Sequence, residues 1–522
     1  MSLHTVPSTG MSPVLPMSRR RMLQLGSLGF GSLALKGLLA ESTARAGAAQ
    51  TPHARPRAKS VILMMQNGGP SQMDLFERKP ALEKFDGKQH SIKVEMFQPG
   101  SEQNKLMNTP FRFRHYGASG IELSEVIPGI GSVIDDMTVV RSMHTGHNNH
   151  TEALVMFMTG KIFQDRPALG AWISYGLGTE NSSLPGYVVL RDPSGYNTSG
   201  TLTWTNGWLP AQHRGTEFSS SGTPVLNLKS SIPGSANEQR NNLDFLSKLN
   251  RIHQRRLPGE TELEARIQNY ELAARMQLAA ADVLDISKET AATGKLYGLD
   301  NKTTEPYGRR CLMARKLVEA GVRFVQIHPK PFQPWDSHSG TRQNLGSICA
   351  NCDLPTAGLI TDLKQRGLLD ETIVIWSGEF GRLPVSQNGT GRDHNRNAFS
   401  LLVAGGGFKA GYAHGASDEV GYAAAVDKVS VADFHATVLQ QLGMDHESLV
   451  YEHAGREETL TDPSLTGAKV IPGLLTCTVW SNGFGRDGHT TGRSQRSEDA
   501  PHGAAGGPGG DHRIGGLVEC GT

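Results

Sequence analysis

Short apolar segments recur along the chain, and each ends at a turn rich in glycine, histidine or acidic side chains. Segments of this kind, rich in valine, isoleucine and leucine, are typical of strands that are buried on both faces. Helical patterns separate most of them, including one at 354–366. The alternation therefore predicts an α/β fold with a doubly wound, mostly parallel sheet and helices on both of its faces. The predicted strands are 60–65, 137–141, 186–190, 323–327, 372–376 and 399–404.

One long stretch interrupts the alternation. Residues 192–235 are rich in Gly, Ser, Thr and Pro, and helical periodicity follows at 237–256 and 260–284. We therefore predict a helical insertion at about 192–292 within a domain that spans 60–475. The residues from 476 to 522 are rich in Gly, Arg and Ser, and they contain too few apolar side chains to offset the entropy of ordering. They are predicted to form a disordered tail.

The N-terminus has the features of an export signal. Arg19 and Arg20 match the twin-arginine pattern, a weakly apolar stretch follows, and Ala44-Arg45-Ala46 provides a cleavage site. The apolar stretch contains Lys36 and is rich in glycine and serine, so it is a poor membrane-spanning helix. We predict a twin-arginine signal peptide at 1–46, a linker at 47–59, and a bacterial protein that is periplasmic or secreted, with no stable membrane span after cleavage.

Charge and cysteine content exclude several classes of protein. The formal net charge is +2, which gives no reason to expect a nucleic-acid partner. The chain has five cysteines, and an odd number excludes a fully paired monomeric framework. Cys349 and Cys352 have the spacing of a redox motif, but they are interpreted as either a local disulfide or two inert thiols.

The segment after the predicted strand at 372–376 is unusually rich in chemically active side chains. Glu379 lies between two glycines, Arg382 follows, and Arg392, Asp393 and His394 come soon after. Open parallel sheets bind ligands beyond the carboxyl ends of their strands. A solvated charged loop is the alternative, but the density of acidic, basic and imidazole groups favours a site.

Three other strand-end loops carry similar residues. Asn67 and Asp74 follow strand 60–65, His147 and His150 follow 137–141, and Asp336 and His338 follow 323–327. In an extended backbone Asp336 and His338 project to the same side, so both can reach one ion. Histidine and carboxylate ligands without a thiolate suit Zn²⁺, Mn²⁺ or a similar divalent ion, and two such ions could clamp a phosphate or sulfate ester. Plain turns without a ligand are the alternative for each loop.

Several longer segments carry a family resemblance. They include NGGPSQMDLFERKP, NNHTEALVMFMTGK, IVIWSGEFGRLP and GRDHNRNAFSLLVAGGGFKAG, and together they span roughly 60–475. On these segments the chain resembles the bacterial family catalogued as domain of unknown function 1501, within the alkaline phosphatase and sulfatase superfamily. The resemblance implies an alkaline phosphatase-like doubly wound sheet with metal ions at its strand ends.

The resemblance also implies roles for individual residues. Asp336 and His338 resemble the Asp and His pair of the first metal site, His394 resembles a late metal histidine, and Glu379 could keep a carboxylate ligand. Asn67 stands where an acidic metal ligand is usual. The nucleophile region lacks the expected Cys or Ser and contains His150 and Thr151. The candidate metal ligands are thus Asn67, Asp74, Asp336, His338, Glu379, Asp393 and His394, and the candidate catalytic residues are His150, Thr151, Arg382 and Arg392, the arginines pairing with an anion.

Together these features predict an exported metal-dependent hydrolase of sulfate or phosphate esters. The expected cofactor is a divalent metal, zinc first, with Mn or Ca as alternatives. The expected partner is an anionic ester substrate, including a sulfated polysaccharide. The alternative is a non-catalytic exported binding protein that retains the alkaline phosphatase-like fold.

Overall fold

The structure is a computed structural model, and it describes residues 53–91, 98–221, 236–256, 267, 271–272, 276 and 283–476. These residues all fall within one compact unit, Met1–Thr478. The predicted signal peptide and nearly all of the predicted tail lie outside them, as does most of the helical pattern at 260–284. The domain boundaries therefore remain predictions.

The strands follow the predicted order along the chain. Ser60–Met65 and Phe399–Ala404 form strands with the predicted bounds, and the other predicted strands differ by a few residues at most. In chain order the strands are β1 Ser60–Met65, β2 Phe113–Tyr116, β3 Ile121–Ser124, β4 Met137–His144, β5 Tyr187–Leu190, β6 Thr216–Glu217, β7 Phe324–Ile327, β8 Thr372–Ser377, β9 Gly381–Gln387, β10 Gly391–Asn395, β11 Phe399–Ala404, β12 Tyr412–His414, β13 Ala416–Ser417, β14 Ala424–Val426, β15 Val429–Ser430, β16 Tyr451–His453 and β17 Arg456–Glu458.

A nine-stranded sheet forms the centre of the fold, with the order β12-β4-β11-β8-β1-β7-β5-β6 and with β15 paired to β4. Strand β11 is antiparallel to β4 and β8, whereas β1 is parallel to both β7 and β8. The carboxyl ends of β1, β4, β7 and β8 therefore lie at the same edge of the sheet. Because β11 runs the other way, the residues that enter it reach that edge too. The mostly parallel sheet confirms the predicted fold class.

Two apolar cores cover the two faces of the sheet. Alternate residues of β1 divide between them: Ile62 and Met64 belong to one core, and Val61, Leu63 and Met65 belong to the other. This division follows from the two-residue side-chain period of a strand. A strand buried on both faces has no polar side, which explains the continuous apolar pattern.

Helices close both cores, so the sheet is doubly wound. The first core receives apolar side chains from α8 and α9, and the second from α4, α5 and α10. The helices are α1 Gln72–Leu75, α2 Pro80–Lys84, α3 Pro128–Ser132, α4 His150–Thr159, α5 Leu169–Leu177, α6 Ala236–Arg256, α7 Ala291–Leu296, α8 Glu305–Glu319, α9 Thr341–Gln365, α10 Val431–Gln441 and α11 Pro463–Thr466. Among the helices that the structure describes, none is both long and apolar enough to cross a membrane.

Helix α9 differs from the sequence prediction. The pattern predicted a helix only from Leu354, with Pro355 in its first turn, whereas the helix begins at Thr341 and contains Pro355 in its interior. The hydroxyl of Thr356 donates to the Cys352 carbonyl at 2.7 Å, one of the local bonds around the proline. Cys349 is also within this helix, and both cysteines are buried free thiols, so the local disulfide is not formed.

The segment at 378–394 also differs from the prediction of a loop. It forms a hairpin, in which β9 and β10 pair antiparallel with His394 opposite Arg382. Charged and glycine residues made the segment resemble a loop, but β9 and β10 are almost entirely buried. Their polar side chains are satisfied by partners far away in the chain, which a local pattern does not reveal.

Candidate metal centre

A cluster of histidine and carboxylate side chains lies at the carboxyl edge of the sheet. His150 comes from the first turn of α4, Asp336 and His338 from the loop after β7, Glu379 from the turn between β8 and β9, and His394 from β10. These elements meet because β1, β4, β7 and β8 all end at this edge and the hairpin leads into β11. The sheet topology therefore brings together residues that are more than two hundred positions apart.

Asp336 is at the centre of the cluster. Its Oδ1 lies 2.9 Å from Nε2 of His338, 3.3 Å from Nε2 of His394 and 2.6 Å from Nη2 of Arg382. Its Oδ2 lies 3.4 Å from Nε2 of His150. One carboxylate thus faces three imidazole rings and one guanidinium group.

Two overlapping groups of side chains have the arrangement of metal ligands. His150, Asp336 and His394 form the first, and His338, Asp393 and His394 form the second. Within each group the potential ligand atoms lie within 4.8 Å of one another. His394 belongs to both groups, so the two potential sites adjoin each other.

The orientation of His150 fits a metal ligand. Its Nδ1 lies 2.6 Å from Oε1 of Glu379, and the two oxygens of Glu379 accept hydrogen bonds from the Gly68 N–H at 2.9 and 3.1 Å. Such a carboxylate fixes the tautomer and ring orientation of a ligating histidine. The opposite nitrogen, Nε2, is buried without a hydrogen-bond partner, since the 3.4 Å approach to Asp336 lacks hydrogen-bond geometry. A buried, unpaired imidazole nitrogen aimed at a carboxylate suits a cation between them.

The protonation of the cluster agrees with cation binding. Burial lowers the pKa of His394 to about 4, so its imidazole is neutral at pH 7, as a ligand must be. Burial opposes the charge of Asp336, but Arg382 and the three histidines outweigh it and hold the pKa of that carboxyl well below its usual range. For His150, burial lowers the pKa, but the neighbouring carboxylates of Asp336 and Glu379 outweigh it and raise the pKa overall. The bond to Asp336 raises the pKa of His338. A bound cation would displace protons from these two rings.

Close packing at Gly68 holds the Asp336 loop against β1. Gly68 has a φ of +115°, and a Cβ added there would lie 2.7 Å from the Trp335 nitrogen and 2.8 Å from the Asp336 nitrogen. The backbone of Gly68 also binds Glu379. A side chain at this position would strain the backbone and displace the Asp336 loop, so the site requires glycine here.

Arg382 is a buried structural residue of this site and does not present a free guanidinium. Its Nε donates to the Gly69 carbonyl at 2.9 Å and its Nη1 to the Arg392 carbonyl at 3.1 Å. Its Nη2 contacts both the Gly68 carbonyl and Asp336. These contacts hold the Asp336 carboxylate in position. They also occupy the guanidinium N–H groups that the sequence analysis expected to bind an anion.

Asp74 and Arg392 form a separate buried ion pair. Nε of Arg392 lies 2.7 Å from Oδ2 of Asp74, and Nη2 lies 3.1 Å from Oδ1. The remaining donors of Arg392 reach the carbonyls of Pro384 and Met107, and the Ser71 hydroxyl donates to Asp74 at 2.5 Å. Asp74 and Arg392 therefore pair with each other, and Asp74 belongs to neither of the two ligand groups.

The other sequence candidates lie beside the cluster. Asn67 is buried, its amide donates to the Phe332 carbonyl, and its Oδ1 lies 3.3 Å from Nδ1 of His328. Thr151 is half-buried in the first turn of α4, next to His150. His147 is also half-buried, and its Nδ1 accepts a hydrogen bond from the Asn149 N–H at 3.1 Å.

Three residues that position the cluster escaped the sequence analysis. The Asn148 carbonyl lies 2.8 Å from Nδ1 of His394, and Oε1 of Gln387 lies 2.5 Å from Nδ1 of His338. The Ser101 hydroxyl donates to Asp393 at 3.2 Å. Asn148 was visible as a neighbour of His150 in a polar loop. Gln387 and Ser101 carry no local signal, because only the folded hairpin brings them to the histidines.

A family model described as a protein of unknown function, DUF1501, matches residues 58–475. This range covers most of the chain and includes every element of the cluster. The chain belongs to the DUF1501 family. No curated protein matches this DUF1501 sequence.

Solved structures similar to this DUF1501 protein include a sulfatase and an alkaline phosphatase. Ps i-CgsB in complex with k-i-k-neocarrahexaose is 9% identical, with 79% of this chain and 77% of that chain covered and a TM-score of 0.34. The PsFucS1 sulfatase from Pseudoalteromonas sp. is 12% identical, with 78% and 70% covered and a TM-score of 0.31. The alkaline phosphatase from the Antarctic bacterium TAB5 is 10% identical, with 67% and 92% covered and a TM-score of 0.25. Likeness at this level does not extend the activity of those proteins to the DUF1501 chain.

Proposed function

We propose that the protein is an exported metal-dependent hydrolase of sulfate or phosphate esters. The observation that carries the proposal is the pair of ligand groups that share His394 at the carboxyl edge of the sheet. The His394 Nδ1 faces the Asn148 carbonyl, so only Nε2 can bind an ion, and the two groups are alternative positions for one cation that would polarise an ester oxygen. The site contains three carboxylates and one guanidinium group, and this excess of negative charge also favours a cation. The carboxylates are those of Asp336, Asp393 and Glu379, and the guanidinium is that of Arg382.

The donor set indicates which ions the site would hold. His150, Asp336 and His394 would bind the ion in one position, and His338, Asp393 and His394 would bind it in the alternative position. Imidazole and carboxylate without thiolate suit zinc first, with manganese or calcium as alternatives. When bound, such an ion supplies Lewis-acid polarisation of the ester oxygens.

Among the chain's own residues, we propose distinct roles for the two candidate nucleophiles. Both nitrogens of His150 are directed at carboxylates, Glu379 and Asp336, so His150 acts as a ligand. The neighbouring Thr151 is the proposed nucleophile. Its Oγ1 would form a bond to sulfur or phosphorus as the bond to the substrate alcohol breaks, and the hydroxyl proton would leave with that alcohol. Water would then hydrolyse the covalent ester, which releases sulfate or phosphate and restores the Thr151 hydroxyl. The ion would hold the anion, because Arg382 and Arg392 are occupied.

Thr151→Ala tests this role. In protein loaded with Zn²⁺, Mn²⁺ or Ca²⁺, the wild type should hydrolyse p-nitrophenyl sulfate or p-nitrophenyl phosphate. The variant should lower kcat about a hundredfold or more while the bound metal is retained, because covalent catalysis is lost and the ligands remain. Ser199→Ala is the matched control: the Ser199 hydroxyl donates to the Thr151 carbonyl at 3.4 Å, and its loss should leave kcat nearly unchanged. An unchanged kcat in Thr151→Ala would exclude Thr151 as the nucleophile.

A second candidate function is non-catalytic binding of an anion. The observation that favours it is the full engagement of Arg382 and Arg392, which leaves neither guanidinium to stabilise charge that develops during a reaction. Absence of turnover by metal-loaded wild type across aryl sulfates and phosphates, together with calorimetric binding of sulfate or phosphate, would support this alternative against the hydrolase.

We also propose export by the twin-arginine route, on the basis of Arg19 and Arg20 followed by the Ala44–Ala46 cleavage pattern. Replacing Arg19 and Arg20 with lysine should retain the precursor in the cytoplasm, because the export receptor recognises guanidinium groups. Cell fractionation measures the result. Undiminished recovery of the variant from the periplasm would contradict the proposed route.

A further inference from the structure

Phe332 has an unusual backbone conformation in the loop that leads to Asp336. Its φ is +58°, in the left-handed region that bulky side chains rarely adopt. The Phe332 N–H donates to the Tyr196 carbonyl at 2.7 Å, and the Phe332 carbonyl accepts from the amide of Asn67. These two bonds hold the strained conformation. A glycine would meet the same backbone requirement without strain, so the phenyl side chain itself needs an explanation.

The phenyl ring is displayed to solvent. The side chain of Phe332 is among the most exposed large apolar side chains of the described residues, with 71% of its surface accessible. It therefore contributes little to the core. Strained backbone that holds an exposed aromatic ring in place is a feature of ligand-binding surfaces, where the ring must be ready before the ligand arrives.

The backbone of Phe332 lies close to the loops that carry the candidate metal ligands. Phe332 is four positions before Asp336 in the chain. Its backbone contacts Tyr196 and Asn197, and Ser199, two positions after Asn197, donates its hydroxyl to the carbonyl of Thr151 at 3.4 Å. A continuous set of contacts thus joins the loop of Phe332 to the first turn of α4, which carries His150.

Two exposed neighbours add to this surface. Tyr196 is 41% exposed, and the Arg191 guanidinium lies 4.2 Å from the centre of its ring. Lys330, two positions before Phe332, is exposed and forms no ion pair with any residue in the described part of the chain. The three residues therefore offer the exposed ring of Phe332, the edge of the Tyr196 ring and the ammonium group of Lys330, which has no acidic partner among the described residues.

This combination suits a sugar ring that carries a negative charge. The face of an aromatic ring attracts the weakly positive C–H groups of a pyranose, and an ammonium group pairs with sulfate or phosphate. A protein partner needs a much larger surface, about 800 Å² on each side. Two exposed aromatic side chains match one or two sugar units instead.

We propose that Phe332, Lys330 and Tyr196 form a subsite for a sugar unit of an anionic polysaccharide, next to the unit whose ester group lies at the metal centre. The position of the ester rests on the proposed function, whereas sugar binding by Phe332 does not. The subsite would hold the chain through the phenyl face and one charged substituent.

Native gels that contain dextran sulfate, neutral dextran or polyphosphate test the proposal. The metal-loaded wild type should be retarded by dextran sulfate and not by neutral dextran. Phe332→Ala should weaken binding to dextran sulfate roughly tenfold or more, because the area of one phenyl face is lost. Lys330→Ala should weaken it less. Phe163→Ala is the matched control, because Phe163 is 61% exposed in the loop after α4, at the opposite end of that helix from His150.

Phe332→Gly separates binding from folding. It should keep or raise the melting temperature, since the backbone strain is relieved, and yet lose retardation as Phe332→Ala does. Thr151→Ala should be retarded like the wild type, so a failure of the proposed catalysis does not affect this result. Equal retardation of wild type and Phe332→Ala would overturn the proposal, as would no retardation of the wild type by dextran sulfate. Polyphosphate has no sugar ring. If Phe332→Ala weakened retardation by polyphosphate as much as retardation by dextran sulfate, the sugar assignment would be overturned.

Discussion

Arg392→Met should lower the free energy of unfolding by about 3–5 kcal/mol, because it leaves the Asp74 carboxylate buried without its counter-charge. Both side chains are fully buried, at 1% and 0% exposure, and two of the nitrogens of Arg392 contact Asp74. The carbonyls of Pro384 and Met107 lose a donor as well. Urea denaturation measures the change.

A control and a double variant make the result specific. Lys59→Met removes the cation of the exposed pair with Glu371 and should leave the denaturation midpoint nearly unchanged. Asp74→Leu combined with Arg392→Met should be more stable than Arg392→Met alone, because no lone charge remains in the interior. If Arg392→Met were as stable as the wild type but lost turnover, Arg392 would bind the substrate anion and the structural role would be wrong.

The fold was largely predictable from the sequence because it depends on local patterns. A strand such as Ser60–Met65 has no polar side, and this apolar pattern can be recognised without knowing which strands lie beside it. The start of α9 was not predictable. In the sequence alone, Pro355 is a signal for the beginning of a helix, whereas in the structure it lies inside a helix that tertiary packing stabilises. The β9–β10 hairpin was missed because its charged residues are paired with distant partners.

The candidate site was predictable in its residue types and not in its pairings. The density of His150, Asp336, His338 and His394 at strand ends pointed to a metal centre, and these four residues do meet. The roles of Asp74 and Arg392 depend on which carboxylate each guanidinium reaches, and that is decided by the packing of α1 against the hairpin. Glu379 is likewise a carboxylate in the right loop, but the structure turns it towards Nδ1 of His150 and the backbone of Gly68.

His394→Ala should have the largest effect on metal binding. His394 belongs to both ligand groups, so its removal leaves each with two ligands. Loss of a single supporting residue around a metal typically costs 10–100-fold in affinity, and loss of a shared ligand should cost on the order of a hundredfold or more. His338→Ala should weaken only the second group. His213→Ala is the matched control, because His213 is a buried histidine that bonds to Ser174 and belongs to neither group.

Metal content per chain, determined by mass spectrometry after loading with Zn²⁺, Mn²⁺ or Ca²⁺ and desalting, tests the metal centre most directly. The wild type and His213→Ala should retain about one divalent ion per chain, His338→Ala should retain an ion in the first group, and His394→Ala should retain almost none. Near-zero metal in the wild type with all three ions, or equal metal in the wild type and His394→Ala, would contradict the metal centre.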